Sequence, residues 1–257
     1  MAEIKHQMDI NCDMGESYSI YKLGNDELLF PFISSCSIAC GFHGGDPFHI
    51  EKTIKNAIHH KVQIGAHPSY PDLQGFGRRP MAVPFAELKS IIKYQIAAVK
   101  GLTEANGGKI SYVKPHGALY NSVANNTDEA LIVMEAIQEM DSSLAVMGLA
   151  GSNFEQLAHQ HNFTFISEGF ADRRYLPNGQ LMPRTMPNAL INDTIIAMQQ
   201  VKSLVFDEKV KTDKGMTSLS VDSICIHGDN PLALELVKAI HLAAQKDGFT
   251  IKSSLNA

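Results

Sequence analysis

The sequence predicts a β/α barrel of about seven mostly parallel strands. Short apolar runs alternate with longer segments of helical period. Most of these runs are apolar at successive positions, as strands covered on both faces are. The length, 257 residues, is usual for such a barrel. A doubly wound open sheet meets the first two conditions and is the alternative. No Pro/Ser-rich or low-complexity linker interrupts the alternation, so residues 1–257 are expected to form a single domain.

The strand candidates are, in order, Met8–Cys12, Ser35–Cys40, Val62–Ala66, Ile110–Lys114, Leu144–Gly148, Phe163–Ser167 and Asp222–Ile226. Helices are expected between them. Pro47–His60 puts Phe48, Ile50, Ile54, Ala57 and Ile58 mostly on one side. Asp46 is its candidate N-cap, and Pro47 takes the first helical position, where the missing N–H costs nothing. Pro84–Ala105 repeats Leu88, Ile91, Ile92, Ile96, Val99 and Leu102 at helical spacing until Asn106-Gly107-Gly108 stops it. Asp128–Met140, Asn192–Phe206 and Pro231–Lys246 read the same way. Pro68–Val83 has no clear period, and a loop of that length beside a site suggests a lid.

Composition narrows the function classes. Lys and Arg number 22 against 27 Asp and Glu, a formal charge of −5, and no basic cluster exceeds Arg78-Arg79 or Arg173-Arg174. Nucleic acid is therefore not an expected partner, because phosphate binding needs concentrated cations. The N-terminus, MAEIKHQMDINCDMGE, is too polar for a signal peptide, and no apolar stretch approaches the ~18 residues of a membrane helix. Cys12, Cys36, Cys40 and Cys225 form no CxxC pair and lie in or beside apolar runs. Buried reduced thiols and a cytoplasmic address are expected.

Ionisable residues collect just past the strand candidates. Asp13 and Glu16 follow the first, His43 and Asp46 the second, and His67 the third. Lys114 and His116 end the fourth, Glu168, Asp172, Arg173 and Arg174 follow the sixth, and His227 and Asp229 the last. In a barrel those strand ends share one face, so the groups converge there and supply the material of acid–base catalysis. Three of the histidines precede glycine (His43-Gly44, His116-Gly117, His227-Gly228), which suggests sharp turns and room for a ligand. Blander readings compete at single positions: Asp46 is half explained as a helix cap, and Arg78-Arg79 as a solvated loop pair. His6, His59, His60, His159, His161 and His241 read as solvated or packing residues. No phosphate-loop motif, GxGxxG fingerprint, HExxH or GxSxG elbow is present.

NCDMGE, ACGFHGGDP, GAHPSYPD with GFGRR, VKPHGALYN and EGFADRRY, in that order, resemble the LamB/YcsF family from about Asp9 to Ala244. The resemblance implies a distorted β/α barrel related to the glycoside hydrolase/deacetylase superfamily. It also implies the role of the A component in bacterial 5-oxoprolinase, which opens 5-oxoproline (pyroglutamate) to glutamate with ATP and partner subunits B and C. ATP is then a cofactor handled with those partners. On this reading Asp13 or His43 activates water, and His116 protonates the departing ring nitrogen. Lys114 and Arg173 hold phosphate or the developing oxyanion, and Arg79 or Arg173 grips the substrate carboxylate. His67 joins the catalytic group, while Glu16, Asp46, Glu168, His227 and Asp229 face the substrate. Two other readings stand: metal-dependent amide hydrolysis with Asp13, His67 and His116 around a divalent ion, and a non-catalytic subunit that only binds substrate.

Overall fold

A computed structural model describes residues 6–256. Seven parallel strands close into a barrel: β1 (Gln7–Met14), β2 (Ser35–Ala39), β3 (Gln63–His67), β4 (Ile110–Val113), β5 (Ala145–Leu149), β6 (Phe165–Phe170) and β9 (Ser223–His227). The ring shuts where β1 pairs with both β2 and β9, with Asp13 level with Ser37 on one side and His227 on the other. A two-stranded antiparallel hairpin, β7 (Lys209–Thr212) and β8 (Gly215–Ser218), stands outside the ring, and β10 (Thr250–Ile251) adds to the start of β1. All seven strand candidates are ring strands, so the open sheet is excluded.

The helices are α1 (Asp26–Leu29), α2 (Pro47–His60), α3 (Phe85–Ala105), α4 (Gly117–Val123), α5 (Thr127–Met140), α6 (Asn153–Gln160), α7 (Thr194–Lys202) and α8 (Ala233–Asp247). In α2 the buried positions Ile50, Thr53, Ile54 and Ala57 keep the helical period, and Asp46 accepts from the N–H groups of Phe48 and His49 at 2.9 and 3.1 Å. Such a cap contributes about 1 kcal/mol. The segment expected to be helical from Asn192 to Phe206 is α-helical only to Lys202 and then widens into a π-turn over Ser203–Asp207. Among the described residues no helix is long and apolar enough to cross a membrane.

The inside of the barrel departs from the expected uniformly apolar strands. In β1 the apolar Met8, Ile10, Cys12 and Met14 alternate with Asp9, Asn11 and Asp13. Contacts between strands that are not neighbours show where the polar set points. Asn11 Nδ2 donates to Glu168 Oε1 of β6 at 3.0 Å, and Lys114 Nζ, just past β4, donates to Asn11 Oδ1 at 3.0 Å. Asp9 accepts from the hydroxyls of Ser34, Ser35 and Ser223 at 2.5, 2.7 and 2.5 Å. Polar groups survive in this core because they satisfy one another. Below them Tyr112, Ala145, Met147 and Ile166 form a separate apolar floor, against which Leu255 packs.

The loop between β3 and α3 is a fixed wall. Ser69, Tyr70 and Asp72 are buried; His116 N–H donates to Pro68 O and Ala118 N–H to Gly77 O, each at 2.8 Å. Backbone bonding to a neighbouring loop removes the freedom a lid needs. The glycines after the histidines likewise accommodate other loops of the same chain. A Cβ on Gly117 would meet Gly77 O at 2.5 Å, and one on Gly228 would meet Asp13 O at 2.5 Å.

Candidate functional site

At the C-terminal ends of the strands lies a cavity of about 580 Å³. Asp13 from β1, His67 at the end of β3, Lys114 and His116 after β4, Glu168 of β6, and His227 at the end of β9 line one wall. Arg78, Arg173 and Arg184 join them, beside the apolar faces of Tyr120, Leu149, Phe170 and Leu181.

Lys114 is the electrostatic centre of the wall and is almost fully buried. Its ammonium lies 2.5 Å from Asp13 Oδ1 and 2.8 Å from Glu168 Oε1. Burial alone would favour the neutral amine, but Asp13 and Glu168 outweigh it and hold the lysine well above its ordinary value. Burial would likewise raise Asp13; His67 and Lys114 reverse this and keep its carboxyl well below the usual range. For Glu16 the balance runs the other way: burial, reinforced by the charge of Asp13 and only partly opposed by Arg78, pushes it well up. Two carboxylates three residues apart are thus driven in opposite directions.

The histidines are interlocked. His67 Nδ1 donates to Lys114 O at 2.7 Å, and His116 Nε2 donates to Phe76 O at 2.9 Å. Carbonyl oxygens only accept, so each ring has spent one N–H and turns its other nitrogen to its neighbour, His116 Nδ1 to His67 Nε2 at 2.9 Å. Two lone pairs cannot face each other at that distance; a proton or a cation must lie between them. Asp13 Oδ2 is 3.3 Å from the same His67 Nε2. His43 stacks on His116 with centroids 3.6 Å apart and planes within 2°, and its Nε2 is 3.2 Å from Glu16 Oε1. Burial, then the neighbouring imidazoles, hold His116 and His43 well below the ordinary histidine value.

Glu16, His43, His67 and His116 offer one ligand atom each, all within 4.8 Å of one another. One carboxylate and three imidazoles suit a borderline metal such as zinc, and the carbonyls behind His67 and His116 orient their rings as metal-bound histidines are oriented. The facing lone pairs fit a cation between them. Glu16 and His43, rather than Asp13, complete this donor set; Asp13 gives Oδ1 to Lys114 and Oδ2 to His67 Nε2.

Other expected site residues fall elsewhere. His43 is fully buried behind His116 and does not reach the cavity. Asp46 is taken up by α2, by Ser19 N–H at 2.6 Å and by His49 Nδ1 at 2.7 Å. Arg79 is largely exposed and paired with Asp72. Asp229 binds Arg78 at 2.6 Å, joining the β3–α3 loop to the end of β9. Asp172 binds His227 Nδ1 at 2.8 Å and Asn230 at 3.0 Å. Asn11 and Arg184 join the site without having been marked by the sequence reading. The alternation Asp9, Asn11, Asp13 is a readable signal for Asn11; nothing in LMPRTMP marks Arg184.

Residues 8–257 match the sequence pattern of the LamB/YcsF family along nearly the whole chain. The chain belongs to the LamB/YcsF family. Within it, a Bordetella pertussis protein named as the A component of 5-oxoprolinase is 44% identical over 248 residues, which cover 96% of this chain and 98% of that one. The crystal structure of a lactam utilization protein from Thermus thermophilus superposes with a TM-score of 0.90 at 37% identity, covering 96% and 99% of the two chains. The catalytic domain of a peptidoglycan N-acetylglucosamine deacetylase from Eubacterium rectale shares the fold at 10% identity, with a TM-score of 0.51 and coverage of 98% and 90%. The barrel fold expected from the sequence is thus one that this deacetylase domain also has.

Proposed function

We propose that this LamB/YcsF chain acts in the cytoplasm as the A component of an ATP-dependent 5-oxoprolinase, opening 5-oxoproline to L-glutamate together with subunits B and C. The observation that carries the reading is the run Asp13–His67–His116, which ends on a cavity bearing arginines. Relatives named for 5-oxoprolinase and lactam utilization support it.

A lactam carbonyl is a weak electrophile, and a five-membered ring recloses readily, so simple hydrolysis is slow and poorly driven. Transfer of the terminal phosphoryl group of ATP to the lactam oxygen makes the ring carbon electrophilic. Water then bonds to that carbon, the C–N bond breaks, the nitrogen takes up a proton, and a second water releases phosphate. ATP is assigned to the partner subunits. The proton between His67 and His116 is the one delivered to nitrogen, and Asp13, held ionised, orients water and balances the imidazolium. Lys114 keeps Asp13 in that state, and His43 and Glu16 position His116.

Metal-assisted amide hydrolysis is the second reading, favoured by the Glu16–His43–His67–His116 set. A divalent ion there would supply Lewis acidity and a more acidic bound water. The experiment combines the purified chain with B and C, with and without ATP, measures glutamate from 5-oxoproline, and repeats the assay after chelation with metal analysis of the protein. Glutamate release that needs all three subunits and ATP supports the first reading. ATP-independent release by this chain alone, lost on chelation, replaces it with the second. If B and C release glutamate without this chain, both fall.

A further inference from the structure

Three guanidinium groups line the cavity, and among the described residues only one has a carboxylate partner. Arg78 is neutralised by Asp229. Arg173 is nearly buried; one Nη donates to Met182 O at 2.7 Å, while its buried Nε has no partner. Arg184 lines the same cavity, and no ion pair or hydrogen bond engages its guanidinium among the described residues. The carboxylates near enough to influence them, Asp172, Asp229 and Asp13, are held by His227, Asn230, Arg78 and Lys114.

The backbone explains why two arginines eleven positions apart line one cavity. Residues 173–190 leave the end of β6 and return, pinned at the base by the bridge Arg173–Leu190 and higher up by Tyr175–Leu181. Arg184 lies just past the inner bridge, where the returning limb of the loop brings it to the cavity that Arg173 also lines. Burial lowers both groups, and for Arg173 the charge of Arg184 comes next. Like charges crowded out of water destabilise a fold unless an anion joins them.

We propose that Arg173 and Arg184 form a two-guanidinium clamp for the carboxylate of the lactam substrate, and that Arg184 sets the preference for a carboxylate-bearing lactam over a neutral one. This rests on the ring-opening role proposed above and adds a residue with no place in that scheme. A carboxylate has two oxygens and four lone-pair directions, enough for the unbonded Nη of Arg173 and the fork of Arg184 together. Lys114 is not available for this task, because its ammonium donates to Glu168, Asn11 and the Cys225 sulfur and is ion-paired with Asp13.

The test compares wild type, Arg184→Gln and Arg184→Lys in the assembled three-subunit enzyme with ATP. Their substrates are 5-oxoproline and 2-pyrrolidinone, the same ring without the carboxylate. Calorimetric titration of each lactam into the purified chain runs in parallel. Arg184→Gln is expected to raise KM for 5-oxoproline on the order of 10–100-fold with kcat changed only a few-fold, the loss of one charge-assisted hydrogen-bond pair. Its handling of 2-pyrrolidinone should not change, and Arg184→Lys should recover part of the loss. Equal losses on both lactams, or an unchanged KM for 5-oxoproline, would overturn the clamp. So would weaker inhibition by inorganic phosphate at unchanged KM, which assigns the pair to a phosphoryl group. An inactive wild-type assembly whose 5-oxoproline binding still depends on Arg184 overturns the ring-opening role and keeps the clamp. No binding of 5-oxoproline by the wild-type chain, together with no turnover by the wild-type assembly, removes both.

Discussion

His116 Nδ1 and His67 Nε2 face each other at 2.9 Å while the far nitrogen of each ring is spent on a backbone carbonyl. The pair therefore works as one unit: whatever lies between the rings belongs to both, and neither can turn over without abandoning a carbonyl. Replacing His67 or His116 by Gln is expected to lower kcat about 10²–10⁴-fold in the assembled enzyme. The double variant should be little worse than either single one, as for groups that act together. Steady-state glutamate release, with circular dichroism to verify folding, checks this; multiplicative losses would mean separate roles.

Lys114 stands between two buried carboxylates, so removing its charge strands both. Lys114→Met is expected to destabilise the fold by about 3–5 kcal/mol, the cost of breaking a buried ion pair from one side. Adding Glu168→Gln should return part of this, since the amide still accepts from Asn11 but carries no charge. Urea denaturation of the single and double variants measures the difference. An unchanged midpoint for Lys114→Met would show that Asp13 and Glu168 take up protons freely.

Strand ends were the legible part of this molecule. His67 and His227 are the last residues of β3 and β9, so the topology of a parallel barrel alone brings them to one face. Asp46 before Pro47 was equally readable, because a cap depends on local backbone, and capping absorbs it. What a loop residue faces is set by the loops around it, which no local period encodes. His43 looked equivalent to His116 in sequence yet stacks behind it, and Arg184 reaches the cavity only because its loop is bridged back onto Arg173. The short α4 and α6 and the β7–β8 hairpin went unread; they contain too few turns or pairs for periodicity to separate them from loop. Asn11 could have been found, since Asp9, Asn11 and Asp13 alternate with period two inside a run read as continuously apolar.

Asp26 gives the fold a pH dependence away from the cavity. It accepts from Gly15 N–H at 2.7 Å, but burial outweighs that bond and raises its carboxyl to about 6, with Glu27 adding to the rise and His49 opposing it. The folded state then holds this proton more tightly than the unfolded chain, whose aspartates titrate near about 4. The contribution to stability is greatest below about pH 4, declines as pH rises towards about 6 and is flat above. Asp26→Asn keeps an acceptor for Gly15 and removes the charge. It should gain on the order of 1–2 kcal/mol over wild type at pH 7.5, after allowance for partial exposure, and nothing at pH 4. Urea midpoints at the two pH values decide; an equal gain at both would point to packing.

Gly65 ties the barrel floor to the cavity. It pairs with Tyr112 across β3 and β4, and a Cβ added there would lie inside the tyrosine ring. The ring has little room to retreat, because Tyr112 is fully buried and its hydroxyl is 3.2 Å from Ser37 Oγ on the far side of β3. Gly65→Ala should therefore cost about 1–3 kcal/mol, the range for overpacking a dense core. Adding Tyr112→Leu, which empties the space the methyl needs, should cost less than the two single changes summed, with a coupling of about 0.5–3 kcal/mol. The effect should also reach activity. His67 lies two residues beyond Gly65 and Lys114 two beyond Tyr112, so a ring pushed aside moves both strands at the level of the site. Gly65→Ala is expected to lower kcat more than it raises KM, because the His67–His116 distance changes while the arginines stay in place, and Tyr112→Leu should restore kcat in the double variant. Kinetics and urea titration of the four proteins test both halves; additive stabilities with unaltered kcat would mean that the floor and the catalytic wall are mechanically independent.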